Sequence, residues 1–159
     1  MSSETQTIKV LFVCLGNICR SPMAEAVFAH TVKQRGLYSR FTIDSAGTAG
    51  YHVGSAPDRR TVVTCKQHGV PISHRARQVK ASDFSDFDFV LCMDRDNLED
   101  LERMRPRESR AKVSLFGDYD ERNPGRVIED PYYGGKEGFK ANFQQVERCS
   151  AGLLKSLGL

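Results

Sequence analysis

The stretch IKVLFVCLGNICRSPMAEAVF, Ile8 to Phe28, decides the fold because its apolar pattern changes period in the middle. Ile8 to Val13 is short, mostly apolar and β-branched, with polar residues before it and a glycine soon after. That is the pattern of a strand buried on both faces. Ser21 offers an N-cap, Pro22 suits the first helical position, and Ala24, Val27, Phe28 and Val32 recur at helical spacing until Gly36. Strand, tight loop and helix follow one another directly, and the loop carries two cysteines, a glycine, an asparagine and an arginine.

Working outward, the same plan repeats. Phe41 to Asp44 reads as a second strand, and Asp58 to His68 as a helix closed by Gly69 and Pro71. Asp88 to Met93 is the clearest later strand, followed by a helix from Arg95 to about Met104 and a short strand from Lys112 to Leu115. Such alternation predicts a parallel sheet covered by helices on both faces. The final helix places Phe139, Phe143, Val146, Leu153, Leu154 and Leu157 on one side, so it closes the core. Phe116 to about Lys136 escapes the scheme, and loops of that length in a compact domain are usually functional or disordered. In a doubly wound sheet the ligand crevice lies beyond the carboxyl ends of the strands, where the CLGNICR loop sits.

The 159 residues suit one domain, residues 1–159, able to bury about two-thirds of its unfolded surface. There is no internal repeat, low-complexity tract or linker. No apolar run is long enough to span a bilayer, and MSSETQTIK lacks the basic and apolar regions of a secretory signal, so a cytoplasmic protein is expected. Five cysteines at irregular spacing, Cys14, Cys19, Cys65, Cys92 and Cys149, suit reduced thiols better than a disulfide framework. The net charge of +3 does not imply a nucleic-acid partner. The basic run RMRPRESRAK, Arg103 to Lys112, reads as a solvated helix end, with an anion or membrane-surface patch as the alternative.

A thiol at the end of a buried strand, followed by a turn into a helix, sits where backbone N–H groups converge and the helix dipole is positive. Both effects stabilise a thiolate at Cys14. The same N–H groups suit a tetrahedral oxyanion, and Arg20 supplies a planar fork for two of its oxygens. The glycine spacing and Lys-Ser/Thr pair of a nucleotide-binding Walker loop are missing. In-line attack by Cys14 on a phosphomonoester would give a thiophosphate intermediate with no metal or cofactor. The leaving oxygen still needs an acid, and Asp130 in EDPYY, Glu129 to Tyr133, precedes a proline that favours an extended backbone.

VCLGNICRSPMAEAVF, DSAGT, HRARQV, CMD and EDPYYGG, in this order over nearly the whole chain, resemble the low-molecular-weight protein tyrosine phosphatases. The resemblance implies a flavodoxin-like α/β fold, a three-layer sandwich around a four-stranded parallel sheet of order 2-1-3-4. It also implies two-step hydrolysis of phosphotyrosine in proteins and of small aryl phosphates, with acid phosphatase activity. By it, Cys14 is the nucleophile, Arg20 the phosphate clamp and Asp130 the general acid and then base. Leu15, Gly16, Asn17, Ile18, Cys19 and Arg20 supply the phosphate cradle, and Ser21 donates a hydrogen bond to the Cys14 sulfur. Asn17, Ser45 and His74 form a supporting network, although His74 on its own would read as an ordinary surface histidine.

Cys19 reads either as a small packed residue or, as the family uses it, as the redox partner of Cys14 in a reversible disulfide. Tyr132 and Tyr133 are expected to wall an aromatic-lined cleft, with modification by a tyrosine kinase as the other reading. Tyr51 stands in a variable loop where many relatives carry tryptophan. A monomer or weak dimer is expected. Arsenate reduction would need a relay of two later cysteines where this chain has only Cys92, and a noncatalytic phosphotyrosine-binding module has no need of both Cys14 and Asp130. Cys14 and Cys19 have no second ligand pair at a zinc-like spacing.

Overall fold

A computed structural model describes residues 7–132 and 135–159. Strand β1 (Ile8–Cys14) is central, paired in parallel with β2 (Phe41–Gly47) on one side and β3 (Phe89–Cys92) on the other, and β3 pairs with β4 (Lys112–Leu115). The order is β2-β1-β3-β4, as the sequence implied. The helices are α1 (Arg20–Gln34), α2 (Arg59–Gln67), the single turn α3 (Asp83–Asp86), α4 (Arg95–Met104) and α5 (Lys136–Ser156).

Because side chains alternate along a strand, β1 divides its apolar residues between two cores. Val10, Phe12 and Cys14 join a cluster with Met23, Val27 and Phe28 of α1, Cys65 of α2, and Phe139, Phe143, Val146 and Leu153 of α5. Leu11 and Val13 join Phe84 of α3, Leu101 of α4 and Leu115 of β4. Val10 to Val13 are fully buried, the two-sided burial that their unbroken apolar run predicts. The Phe12 ring meets Phe28 at 5.6 Å and Phe116 at 4.8 Å between centroids. Removing that ring costs about 3–5 kcal/mol by the usual large-to-small measure.

The start of α1 corrects the sequence reading. Ser21 is not its N-cap: the helix begins at Arg20 with Cys19 as N-cap, and no side chain caps it. The Ser21 hydroxyl is turned inward instead, onto Asn17 and the Cys14 sulfur. Pro22 falls at the third helical position, where a missing N–H still costs nothing. Strand β2 runs three residues beyond Asp44, to Gly47. Its last residue lies under the loop that follows β1: a Cβ on Gly47 would come within 2.7 Å of the Leu15 carbonyl oxygen and 3.2 Å of the Asn17 nitrogen.

The long segment after β4 contains a 3-10 turn, Phe116–Tyr119, and is then tied down residue by residue. Asp120, buried, accepts two hydrogen bonds from Arg148 of α5. The Ile128 N–H donates to the Met93 carbonyl at 2.7 Å. Gln145 and Asn142 of α5 donate to the carbonyls of Arg126, Val127 and Glu129. These bonds deliver Asp130 to the carboxyl end of the sheet. In the basic run, Arg103 pairs with Glu99 and Asp100, Arg105 donates to Ser109 and the Ala111 carbonyl, and Arg110 pairs with Asp88, the pattern of a solvated helix end.

Candidate active site

A cavity of about 200 Å³ opens at the end of β1, lined by Cys14, Leu15, Gly16, Ile18, Cys19, Arg20, Tyr51, His52, Asp130 and Tyr132. The chain between β1 and α1 forms its floor. The carbonyls of Cys14, Leu15 and Ile18 accept from the N–H groups of Thr48, Ala49 and Asp58, and the Cys19 carbonyl accepts from the Thr61 hydroxyl. The neighbouring segments thus occupy four of the loop's carbonyls. Of its backbone N–H groups from Leu15 to Cys19, only that of Asn17 has an acceptor among the described residues, the Cys14 sulfur at 3.3 Å.

Asn17 makes this shape possible. It is the only non-glycine residue with positive φ among those described, at 58°, in the left-handed region that asparagine tolerates. Its buried amide ties four groups together. Nδ2 donates to the Ser21 hydroxyl at 2.7 Å and to the Ser45 hydroxyl at 3.1 Å. Oδ1 accepts from the Arg77 N–H at 3.0 Å and lies 2.8 Å from His74 Nε2. Since the Arg77 N–H can only donate, the amide orientation is fixed, and His74 Nε2 must carry a proton. Ser21, already accepting from Asn17, has its own proton free for the Cys14 sulfur at 3.1 Å, a better partner than the Ala46 carbonyl at 3.5 Å.

Arg20 is 3% exposed, and its Nη1 donates to Asp94 Oδ2 at 2.6 Å and to the Ile128 carbonyl at 2.9 Å. Its Nη2 lies 3.8 Å from the Asp130 carboxylate. Burial alone would lower the pKa of the guanidinium, but the charges of Cys14, Asp94 and Asp130 outweigh it and raise it. The Cys19 thiol is pushed up to about 12, first by burial and then by the charges of Asp58, Cys14 and Asp130. Asp130 is 40% exposed, and its Oδ1 accepts from the Tyr132 N–H at 3.0 Å, a local turn that holds the carboxyl group at the cavity mouth.

Comparison with known proteins identifies the relatives of this arrangement. The family model described as low molecular weight phosphotyrosine protein phosphatase matches residues 9–158. The chain belongs to that family. Among its relatives, a low molecular weight phosphotyrosine protein phosphatase of Schizosaccharomyces pombe is 50% identical over 154 residues, covering 96% of this chain and 99% of the relative. A protein tyrosine phosphatase crystal structure from Entamoeba histolytica superposes with a TM-score of 0.91 at 37% identity, covering 96% and 97% of the two chains. The structure named drosophila arginine phosphatase superposes at 0.89 with 39% identity, covering 96% and 99%.

Within this low-molecular-weight phosphatase chain, Cys14, Leu15, Gly16, Ile18, Cys19, Arg20, Asp130, Tyr51 and Tyr132 share the cavity. Asn17, Ser21 and Ser45 are buried, with Asn17 joining the two serines and contacting His74. Tyr133 lies outside the described residues. Two contributors had no role assigned from sequence. His52 lines the cavity against Gly16. Asp94 caps α4 through Oδ1, accepting from the Asn97 N–H at 2.8 Å, while Oδ2 holds Arg20. Its signal was present as an aspartate just after β3 with Asn97 three residues on, a capping box, but only the fold reveals the second task.

Proposed function

We propose that the protein hydrolyses phosphotyrosine through a cysteinyl-phosphate intermediate. The observation that carries this reading is the convergence of Cys14, Arg20 and Asp130 on one cavity. The Cys14 thiolate attacks phosphorus in line with the tyrosyl oxygen, and the S–P bond forms as the P–O bond breaks. The N–H groups from Leu15 to Arg20 and the Arg20 guanidinium take the charge on the three equatorial oxygens. Asp130 gives its proton to the departing phenolic oxygen, then recovers one from the water that cleaves the S–P bond. Ser21 donates to the sulfur and so stabilises it as nucleophile and as leaving group, while Asn17, Ser45 and His74 act as positioning residues for the loop. Tyr51 and Tyr132 favour a flat aryl group between them, and a cytoplasmic, single-domain phosphatase is the reading consistent with reduced thiols.

Oxidation is the proposed control. Hydrogen peroxide converts the Cys14 thiolate to a sulfenic acid; the Cys19 sulfur then displaces water from it, giving a Cys14–Cys19 disulfide that thiols reverse. Peptide mass spectrometry after mild peroxide treatment tests this, and a Cys14 sulfonic acid without the cross-link would rule it out.

The main test is phosphate release, in chelator, from matched phosphotyrosine, phosphoserine and phosphoarginine peptides by wild type and Cys14→Ser. Tyrosine-selective release abolished by the substitution is expected. Retained binding with no release by reduced wild type would make the loop a recognition site, and a preference for phosphoarginine would overturn the substrate assignment.

A further inference from the structure

Arg60 is not among the residues that line the cavity, yet its guanidinium lies against a side chain that is. Its Cζ stands 5.4 Å from the centroid of the Tyr132 ring and 4.6 Å from that of Phe139, both within cation–π range. Tyr132 is 38% exposed and packs into neither apolar core, whereas Phe139 is buried in the cluster beneath α1. The flat guanidinium thus links a ring of the cleft wall to a fixed ring of the core.

The guanidinium is itself held at a definite angle. Nε donates to Asp58 Oδ1 at 3.1 Å and Nη2 to Asp58 Oδ2 at 3.0 Å, a two-pronged pairing that a lysine cannot make. Asp58 in turn caps α2, accepting from the Arg60 N–H at 2.8 Å, and its own N–H donates to the Ile18 carbonyl at 2.7 Å. Because Ile18 belongs to the loop between β1 and α1, the succession Ile18, Asp58, Arg60, Tyr132 runs from the cavity floor to its wall. Arg60 stands in the first turn of α2, where the helix dipole disfavours a cation, so the helix alone does not account for its charge. The Arg60 hydrogen bond holds the Asp58 carboxyl below its ordinary range in spite of burial, so the pair stays charged in mildly acid solution.

We infer that Arg60 is a positioning residue that fixes the Tyr132 ring at the cavity edge and thereby sets the preference for aryl ligands over bare phosphate. This rests on the aryl-phosphate reading proposed above and extends it to a residue outside the cavity. The Tyr132 N–H already donates to Asp130, which places the backbone and leaves the direction of the ring to its neighbours. Arg60 is a neighbour whose plane is set by a carboxylate. A lysine keeps the charge without the paired fork and the flat face.

The test compares two ligands that share the phosphate cradle and differ in the aryl group, inorganic phosphate and benzylphosphonate. NMR titration of nitrogen-15-labelled protein reads both affinities without turnover. In Arg60→Met, benzylphosphonate should bind about two- to fivefold more weakly, the range of an exposed cation–π contact, while phosphate binds as it does to wild type. Arg60→Lys, which leaves Asp58 a cationic partner and so guards against a disturbed α2, should show the same selective loss. In a Tyr132→Ala background, Arg60→Met should change neither affinity. Equal weakening of both ligands would put the effect of Arg60 on the cradle, through Asp58, and overturn the inference. So would unchanged benzylphosphonate binding, full recovery in the lysine variant, or a loss that persists without the Tyr132 ring. Hydrolysis of the phosphotyrosine peptide by wild type is scored separately: its absence would remove the proposed function, and the two affinities would still decide the role of Arg60.

Discussion

Replacing Asn17 with glycine removes its side-chain network while keeping access to its left-handed backbone, and replacing it with alanine adds the backbone penalty. The amide makes four hydrogen bonds, to Ser21, Ser45, His74 and the Arg77 N–H. At about 1 kcal/mol each, with a further cost for the buried donors left unpaired, Asn17→Gly should lose about 3–5 kcal/mol. Alanine adds about 1–2 kcal/mol for the left-handed conformation, partly offset by the less flexible unfolded chain. Out of a total stability of about 5–15 kcal/mol, both proteins should fold, with melting temperatures lowered by roughly 10 °C or more. Urea unfolding in phosphate-free buffer measures this, because a bound anion would stabilise the native state and mask the loss. Turnover should fall as the N–H groups lose their common focus. If Asn17→Gly unfolds within about 1 kcal/mol of wild type and keeps its turnover, the network does not hold the loop and the reasoning fails.

Asp130→Asn should reduce turnover with phosphotyrosine far more than with an aryl phosphate whose leaving group needs no proton; equal losses would remove Asp130 from the acid role. Asp94→Ala should weaken competitive inhibition by inorganic phosphate, because Arg20 loses its 2.6 Å partner, and should cost about 1 kcal/mol more through the lost cap of α4, read by chemical unfolding. Gly47→Ala should lower activity by displacing Leu15 and Asn17, checked by comparing its turnover and melting temperature with those of a Gly135→Ala control, since Gly135 has a φ of −87° and a Cβ on it meets no atom within 4 Å. Burial pushes the thiols of Cys65, Cys92 and Cys149 up to about 12, so alkylation of native protein near neutral pH should spare all three, as mass mapping would reveal.

What the sequence disclosed and what it hid follow from the range of the forces involved. The β1, loop and α1 succession was legible because apolar periodicity and turn residues act over a few positions. Local signals also misled: Ser21 looked like a cap because a serine before a proline usually is one, whereas its hydroxyl serves a sulfur seven residues earlier. Asp94 could be seen as a helix start but not as the partner of Arg20, 74 residues away. Glu25, Asp44 and Arg77 belong to different elements, and only the packing of α1, β2 and the strand-like segment beside Gly47 brings them together. The long segment before α5 was correctly set apart as irregular, while its anchoring by Asn142 and Gln145 depends on a helix face that composition alone does not orient.

Asn17 is also a constraint in time. Its partners stand 28, 57 and 60 residues further along the chain, so the loop cannot take its final shape when β1 and α1 first pair. It must wait for β2 and then for the segment from His74 to Arg77 to arrive. During refolding, helix content and core burial can therefore recover while the loop still samples other backbone shapes. Regain of activity should lag both, making turnover a clock for the last step of assembly.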